Sequence, residues 1–285
     1  MLIRFLSVFL VLAGLCTACA AGVNGREDVR IGERILAVYT YRPADCAPAG
    51  VLLVFHGMSR NADSYRDHAA GFADRHCLTV FAPRFDAERF SIWDYHGGGI
   101  TSPEGLRPPA EWTVHMADDL VAWVRRHDGL AAAPVYLFGH SAGAQFLSRA
   151  AAFAALPGVM RIVIANPSTH VLAALDEPVP FGFAGLSDDA AKRHLAAYLK
   201  QPVTIYLGSD DTGQENLYDA PEARRQGEHR LARGRTAYRT ALAAAGRTGL
   251  PCNWTIVEAA GVGHSARAML DAPEATTAFG LAAAP

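Results

Sequence analysis

The sequence predicts an α/β protein with a mostly parallel central sheet and helices on both faces. Short apolar runs rich in β-branched residues recur along the chain, and helix-forming stretches separate them. A serine also stands between small residues where one apolar run meets a string of helix formers, in "YLFGHSAGAQF" at 136–146. The 285 residues are 51% hydrophobic, which suffices for a large buried core. No repeat or low-complexity linker divides the sequence, so one domain is expected over residues 21–285.

Each apolar run is assigned to a strand, and the stretches of helix formers between the runs are assigned to helices. The predicted strands are 34–43, 51–57, 78–83, 134–139, 160–166, 202–208 and 253–259. The predicted helices are 61–77, about 110–127, one that begins at Ala142, and 221–246. Two long loops, 84–109 and 167–190, interrupt this alternation. Both follow strands, at the sheet edge where open α/β sheets bind ligands.

Ser141 is the candidate nucleophile. It lies at the apex of the predicted strand-to-helix turn, within the sequence Gly-His-Ser-Ala-Gly. A turn this sharp needs small flanking residues, because a bulky neighbour would collide with the adjacent strand or helix. The alternative is a glycine-rich turn that contains a serine by chance, so the rest of the sequence must supply a base and an acid.

A serine hydroxyl becomes a good nucleophile when a base removes its proton and a carboxylate orients that base. His264 is the candidate base, because it lies in a glycine-containing loop directly after the last predicted strand. Asp210 and Asp211 follow the preceding strand. Successive side chains at a strand end point in different directions, so only one of the two can orient His264.

These motifs together resemble the α/β-hydrolase superfamily over most of residues 34–270. Within it, "VFHGMSRNADSYRD" and the later "APRFDAERF" resemble the bacterial polyhydroxybutyrate-depolymerase-like esterases. The resemblance implies the order Ser, Asp, His that this sequence shows. It also implies that the acid is Asp211, three residues after Gly208, with Asp210 as the alternative, and that no cofactor is required.

The resemblance further implies an oxyanion hole made of two backbone N–H groups. The first belongs to Ala142, which follows the nucleophile. For the second, the segment His56-Gly57-Met58 competes with the glycine-rich segment 96–99. The hole belongs to the loop after the first buried strand, and this position favours Met58 over the later segment.

The segment 96–99 is then expected to form part of a flexible substrate loop. Trp93 and Tyr95 in the same loop are candidates for aromatic contacts with a substrate. The alternative for both aromatic residues is packing within the loop itself.

The first twenty residues resemble a secretory signal. Arg4 precedes an apolar run that is too short to span a bilayer comfortably, and Ala18-Cys19-Ala20 offers a small-residue cleavage site. The sequence therefore predicts export to the periplasm or the outside of the cell. A lipoprotein signal with Cys19 as the lipidated residue remains an alternative to soluble export.

Removal of residues 1–20 would leave Cys46, Cys77 and Cys252. In an oxidising compartment two of them could pair, and Cys46 and Cys77 both precede apolar strands at one edge of the predicted sheet. Three buried free thiols are the alternative.

The charge balance argues against several classes of partner. The formal charge is −2, so the chain has no global attraction for nucleic acid or an anionic membrane. The basic stretch 222–239 mixes arginines with Glu222 and Glu228, which is typical of a solvated helix face. No cysteine or histidine spacing resembles a metal site.

The leading hypothesis is a secreted serine esterase that cleaves a small-molecule or polymeric carboxylic ester through an acyl-enzyme. The same residues would serve an amide, peptide or thioester hydrolase, because the motifs define acyl transfer and leave the leaving group open. A non-catalytic binding protein on a hydrolase scaffold is a third hypothesis. That class is expected to lack a triad member or the oxyanion loop, and this sequence lacks neither.

Overall fold

The architecture comes from a computed structural model that describes residues 22–127 and 129–282. The predicted signal segment, including Cys19, lies outside the described residues. The strands are β1 (Val23–Ile31), β2 (Arg34–Arg42), β3 (Gly50–Phe55), β4 (Leu78–Pro83), β5 (Thr101–Ser102), β6 (Gly105–Leu106), β7 (Val135–His140), β8 (Val159–Ala165), β9 (Val203–Gly208) and β10 (Thr255–Ala259). The α-helices are α1 (Ala62–His76), α2 (Ile92–Tyr95), α3 (His115–Val124), α4 (Ala142–Phe153), α5 (Asp188–Lys200), α6 (Pro221–Gln226), α7 (Arg230–Thr248), α8 (Ala266–Asp271) and α9 (Glu274–Ala278).

Among the described residues, eight strands form one sheet in the order β1-β2-β4-β3-β7-β8-β9-β10. Strands β1, β2 and β4 pair antiparallel, and the run from β4 through β3 to β10 is parallel. The short strands β5 and β6 form a separate hairpin. The predicted fold class, a mostly parallel sheet with helices on both faces, is confirmed.

The two faces of the sheet pack against different helices. Successive residues of a strand point to opposite faces, so Leu53 contributes to one apolar layer and Leu52 to the other. The first layer joins the sheet to α3, α4, α5 and α7, and the second joins it to α1, α8 and α9. The central strands β3, β4, β7 and β9 are buried along their whole length. This burial explains why they read as continuous apolar runs in the sequence.

The structure contains several elements that the sequence analysis did not assign. Strand β1 extends the sheet with a hairpin partner for β2, and helix α5 begins at Asp188, inside the segment treated as a loop. Helices α8 and α9 follow the last strand. The loop at 84–109 also holds the short helix α2, whose N-cap Ser91 forms a capping box with Asp94.

Cys46 and Cys77 form a disulfide, with their Cα atoms 5.8 Å apart, and Cys252 has no disulfide partner among the described residues. The sequence left open one disulfide or three free thiols, and the structure contains the disulfide. None of the helices in the described ranges has the length and apolar character needed to cross a bilayer.

Candidate active site

Ser141 occupies a sharp turn between β7 and α4. Its backbone has φ of 57° and ψ of −117°, a left-handed conformation that costs energy in a residue with a side chain. A Cβ atom on Gly139 would overlap the backbone of Gly143, so position 139 does not tolerate a larger residue unless the strand or the helix moves. The paired glycines in the sequence thus allow the strand and the helix to approach while the serine side chain projects from the turn.

The segment after β3 packs directly against this turn. A Cβ atom on Gly143 would overlap the carbonyl oxygen of Phe55, and one on Gly57 would lie 3.8 Å from the Cβ of Ser141. The segment that carries Met58 is therefore a neighbour of the serine.

Ser141, His264 and Asp211 lie in a hydrogen-bonded chain. The Oγ of Ser141 is 3.1 Å from Nε2 of His264, and Nδ1 of His264 is 2.7 Å from Oδ2 of Asp211. Because a carboxylate accepts, Nδ1 carries the donated proton and Nε2 is left free to accept the serine proton. The three residues come from the ends of different strands, and a Cβ on Gly208 would overlap the carbonyl oxygen of Val262, which brings the last two loops together.

The neighbouring aspartates lie in different environments. Asp210 is exposed and accepts a hydrogen bond of 2.9 Å from the hydroxyl of Ser209. Asp211 is 2% exposed, and its second oxygen lies 3.4 Å from Nη1 of Arg230. The structure therefore brings Asp211 to His264 and leaves Asp210 in the turn.

His140 forms part of the wall beside the base. Its ring centroid lies 4.5 Å from that of His264, and its Nδ1 is 3.2 Å from the hydroxyl of Tyr65. Burial, with a smaller contribution from His264, holds the pKa of His140 well below its usual range. His140 is therefore neutral at pH 7 and adds no charge next to His264.

The candidate oxyanion donors are the N–H groups of Met58 and Ala142. Both residues line the same cavity as Ser141, and within the described chain neither N–H has a backbone or side-chain acceptor. Ala142 is the first residue of α4, so its N–H is one of the free donors of a helix N-terminus. In the rival segment 96–99, which belongs to the loop after β4, His96 and Gly97 also line this cavity.

His56 holds the oxyanion segment in place. Its Nε2 accepts a hydrogen bond of 3.0 Å from the Phe85 N–H, so its Nδ1 donates to the Gly57 carbonyl at 2.9 Å. Full burial lowers the pKa of His56 to about 3, which keeps the ring neutral in this role. The hydroxyl of Tyr95 donates to the His56 carbonyl at 2.8 Å.

The two aromatic candidates of the substrate loop have different surroundings. Trp93 is 36% exposed and lines a cavity of about 440 Å³ that also contains Ser141, which is compatible with contact to a ligand. Tyr95 is fully buried, and its ring packs against those of Phe85 and Phe146. Tyr95 thus cannot reach a substrate and instead supports the segment that carries Met58.

Several cavity residues were not found from the sequence. Gln145, Arg149, Thr169, Phe181 and Tyr218 line the cavity with Ser141. The sequence contains a signal for two of these residues. Gln145 and Arg149 follow Ser141 at intervals of four, so all three lie on one face of the predicted helix. His170 is fully buried and has no hydrogen bond at either ring nitrogen within the described residues. Within residues 22–127 and 129–282, no group of His, Cys, Asp and Glu side chains is placed to hold a metal ion.

Searches against known proteins place this architecture among hydrolases. No protein-family model and no curated protein matches the chain. Among solved structures, the LpqC poly(3-hydroxybutyrate) depolymerase from Bordetella parapertussis is 33% identical, with a TM-score of 0.81 over 90% of this chain and 91% of that one. The poly(aspartic acid) hydrolase-1 from Sphingomonas sp. KT-1 is 29% identical, with a TM-score of 0.79 over 92% of this chain and 98% of that one.

A thermostable esterase from Pseudomonas putida shares the fold at 14% identity, with a TM-score of 0.53 over 92% of this chain and 81% of that one. The mostly parallel sheet and the strand-to-helix turn at Ser141 are those of an α/β-hydrolase. Within that superfamily, the chain belongs to the family of bacterial polyhydroxybutyrate-depolymerase-like hydrolases.

Proposed function

We propose that the protein is a secreted serine hydrolase that cleaves carboxylic esters through an acyl-enzyme. The observation that carries this proposal is the chain of contacts from Ser141 through His264 to Asp211, at 3.1 Å and 2.7 Å. Acyl transfer by a serine nucleophile requires an imidazole that is hydrogen-bonded to the hydroxyl and a carboxylate that is hydrogen-bonded to the imidazole. No cofactor takes part in the proposed reaction.

In the first half of the reaction, His264 accepts the proton of Ser141 while Oγ attacks the ester carbonyl. The carbonyl oxygen becomes an oxyanion, and the N–H groups of Met58 and Ala142 would stabilise it by about 3 kcal/mol each. The imidazolium then gives its proton to the departing alcohol, and the acyl group remains on Ser141. Asp211 keeps the ring of His264 oriented and stabilises its positive charge.

In the second half, His264 removes a proton from water, and the resulting hydroxide adds to the acyl carbonyl. The oxyanion hole acts again, the bond to Ser141 breaks, and the serine recovers its proton from the imidazolium. The products are a carboxylic acid and the free enzyme. The rate is expected to fall at acid pH, because only a neutral imidazole accepts a proton.

An ester substrate, small or polymeric, is favoured by the depolymerase that is 33% identical. A second candidate is an amide substrate, because the hydrolase at 29% identity is named for poly(aspartic acid), whose units are joined by amide bonds. 4-Nitrophenyl esters of increasing chain length, with matched anilides and thioesters, separate these candidates. Turnover of anilides without esters would contradict the esterase proposal.

Replacement of the nucleophile tests the proposal directly. Ser141→Ala is expected to lower ester turnover by about 10⁶-fold with little change in the fold, because the triad acts as one unit around the hydroxyl. A fluorophosphonate probe should label Ser141 of the wild type, and peptide mass spectrometry would locate the labelled residue. Ser102→Ala, at a serine outside the cavity, serves as the control and should retain both activity and labelling. Labelling at another serine would refute the assignment.

Export is supported by the apolar run near the N-terminus and by the Cys46–Cys77 disulfide, a feature of oxidising compartments. Mass spectrometry of the native protein from outside the cytoplasm is expected to find an N-terminus at Ala21. A diacylglyceryl group on Cys19 would instead support the lipoprotein alternative. An intact Met1 in that material would contradict both.

A further inference from the structure

Arg149 lies in the wall of the cavity that contains Ser141, although its side chain is almost entirely buried. The residue is 1% exposed. Its Nη1 donates to the carbonyl oxygens of Gln145 at 3.3 Å and Thr169 at 2.9 Å, and its Nη2 donates to the Thr169 hydroxyl at 2.9 Å. Within the described residues none of its acceptors is a carboxylate.

The hydrogen bonds of Arg149 leave one edge of the guanidinium unused. Thr169 occupies the edge formed by Nη1 and Nη2, and the buried Nε has no acceptor among the described residues. Nε–H and the second proton of Nη2 form the other edge, which has the spacing of the two oxygens of a carboxylate. Burial lowers the pKa of Arg149 to about 10, so the group is still a cation at neutral pH.

The balance of buried charge also leaves Arg149 without a counterion. In the part of the chain that the structure describes, the buried arginines are 60, 149, 230 and 233, whereas the one buried acid is Asp211. Asp211 is next to Arg230, and Arg233 donates to the carbonyl oxygens of Gly227, Ser168 and Tyr218. A buried cation without a counterion is costly and attracts an anion to the nearest accessible space. For Arg149 that space is the cavity.

A second donor lies between Arg149 and the serine. Ser141, Gln145 and Arg149 are spaced by four residues, so they follow one line along the start of α4. The Thr169 hydroxyl donates to Oε1 of Gln145 at 2.9 Å, which orients the amide so that its NH₂ group is left for a ligand. Helical residues lean towards the N-terminus, so the Arg149 side chain extends back towards Ser141 along this line.

We propose that Arg149 and Gln145 form a carboxylate-binding subsite, and that the preferred substrates are esters that carry a second, free carboxylate. This inference rests on the proposed ester hydrolysis at Ser141 and adds the substrate class. The carboxylate could belong to the acyl part of the ester or to its alcohol part. In both cases it would accept a hydrogen bond from the amide of Gln145 and pair with the charge of Arg149, whose buried Nε–H it would reach after a small shift of the cavity wall.

Matched pairs of esters test the substrate class. Monoethyl glutarate and ethyl 4-carbamoylbutanoate differ only by the exchange of carboxylate for carboxamide on the acyl side. 4-Butanoyloxybutanoate and its carboxamide do the same on the alcohol side. The wild type is expected to prefer the carboxylate of at least one pair by about tenfold or more in kcat/KM. Equal rates in both pairs, or a preference for the carboxamides, would overturn the proposal.

Substitutions of Arg149 test whether this residue causes the preference for carboxylate esters. Arg149→Met should bring the ratio of kcat/KM for the carboxylate ester to kcat/KM for its carboxamide close to one, and Arg149→Lys should keep part of the preference. Arg239→Met removes a cation from the exposed face of α7 and should leave the preference intact. If Arg149→Met retains the full preference, another group binds the carboxylate. The wild-type comparison stands even if Arg149→Met fails to fold.

A binding measurement separates failure of the subsite from failure of the esterase proposal. Calorimetric titration of Ser141→Ala with glutarate and with glutaramide needs no turnover. Tighter binding of glutarate, weakened in Ser141→Ala combined with Arg149→Lys and lost in Ser141→Ala combined with Arg149→Met, supports the subsite even if the wild type cleaves no ester. Ester turnover without any selectivity for the carboxylate would leave the esterase proposal standing and refute the subsite.

Discussion

Asp211 contacts two side chains, those of His264 and Arg230. One oxygen lies 2.7 Å from Nδ1 of His264, and the other lies 3.4 Å from Nη1 of Arg230. Asp211→Asn is expected to lower kcat by about 10⁴-fold, because an amide stabilises the wrong tautomer of His264 and does not balance the imidazolium. The change also leaves Arg230 buried without a carboxylate, so a loss of about 3 kcal/mol in the free energy of unfolding should accompany it. Both effects are measurable on one preparation by ester kinetics and urea denaturation.

Asp210→Asn is the matched control, because it makes the same chemical change one residue away on an exposed side chain. It should retain most of the activity and nearly all of the stability. The assignment of the acid would be reversed if Asp210→Asn caused the severe loss and Asp211→Asn did not.

At the level of single residues, the sequence predicts functional side chains that belong to short local motifs. It does not predict side chains whose surroundings come from distant parts of the chain. Ser141 and His264 stand in short glycine-containing patterns, and the structure brings them within 3.1 Å. Arg149 has no such pattern, because its surroundings come from Thr169 and Phe181 in a segment that the sequence could identify only as a long insert. Tyr95 shows the opposite error, in which the sequence suggests a contact that the structure does not make. An aromatic residue in a loop near the ligand side of the sheet can be buried beneath that loop, as Tyr95 is.

The elements around the serine are constrained by close backbone contacts. Gly143→Ala would force a methyl group against the Phe55 carbonyl, so the start of α4 or the end of β3 must move. We expect a loss of activity of at least about 10²-fold, because a shift of about 1 Å in the catalytic geometry has this effect. The thermal midpoint should fall as well. Ester kinetics and thermal denaturation of the purified variant measure the two effects.

Gly246→Ala makes the same substitution within helix α7, where the added methyl group meets no atom within 4 Å. It should raise the free energy of unfolding by about 0.5–1 kcal/mol, because alanine is the better helix former. Activity should not change. Normal activity in Gly143→Ala would show that the contact with β3 does not set the position of the serine.

The accuracy of the element predictions follows the strength of the apolar signal. The central strands are buried on both faces, and their runs of apolar residues identify β3, β4, β7 and β9 within one or two residues. Strand β1 reads "VNGREDVRI", because it lies at the sheet edge and exposes most of its side chains. Helix α5 was not predicted because Pro178, Pro180, Gly182 and Gly185 precede it, and these residues are typical of a loop.

On the scale of the whole molecule, the sheet order brings distant parts of the chain to one edge. Strands β7, β8, β9 and β10 are parallel neighbours, so the residues that follow them lie on the same side of the sheet. Positions 141, 211 and 264 are separated by more than fifty residues each, yet they follow β7, β9 and β10. The class of fold could therefore predict that these residues meet, whereas the depth and charge of the cavity depend on the inserts.

Buried neutral histidines make the stability of the molecule depend on pH. Burial, with smaller contributions from Arg149 and Arg233, lowers the pKa of His170 to about 3, whereas an imidazole in the unfolded chain titrates near 6.5. Between these values the unfolded state binds a proton that the folded state does not. The stability from this group is therefore complete above about pH 6.5 and is lost as the pH falls towards 3, by about 1.4 kcal/mol per pH unit.

His170→Leu should remove this dependence, because leucine cannot titrate and neither ring nitrogen of His170 has a hydrogen-bond partner in the described structure. Between about pH 7 and pH 5, the variant should lose about 2 kcal/mol less of its unfolding free energy than the wild type does. Urea denaturation at both pH values measures the difference. Val171→Ala, at the adjacent buried residue, should lower stability equally at both pH values. An unchanged pH dependence in His170→Leu would mean that His170 is protonated in the folded protein or that its site admits water on acidification.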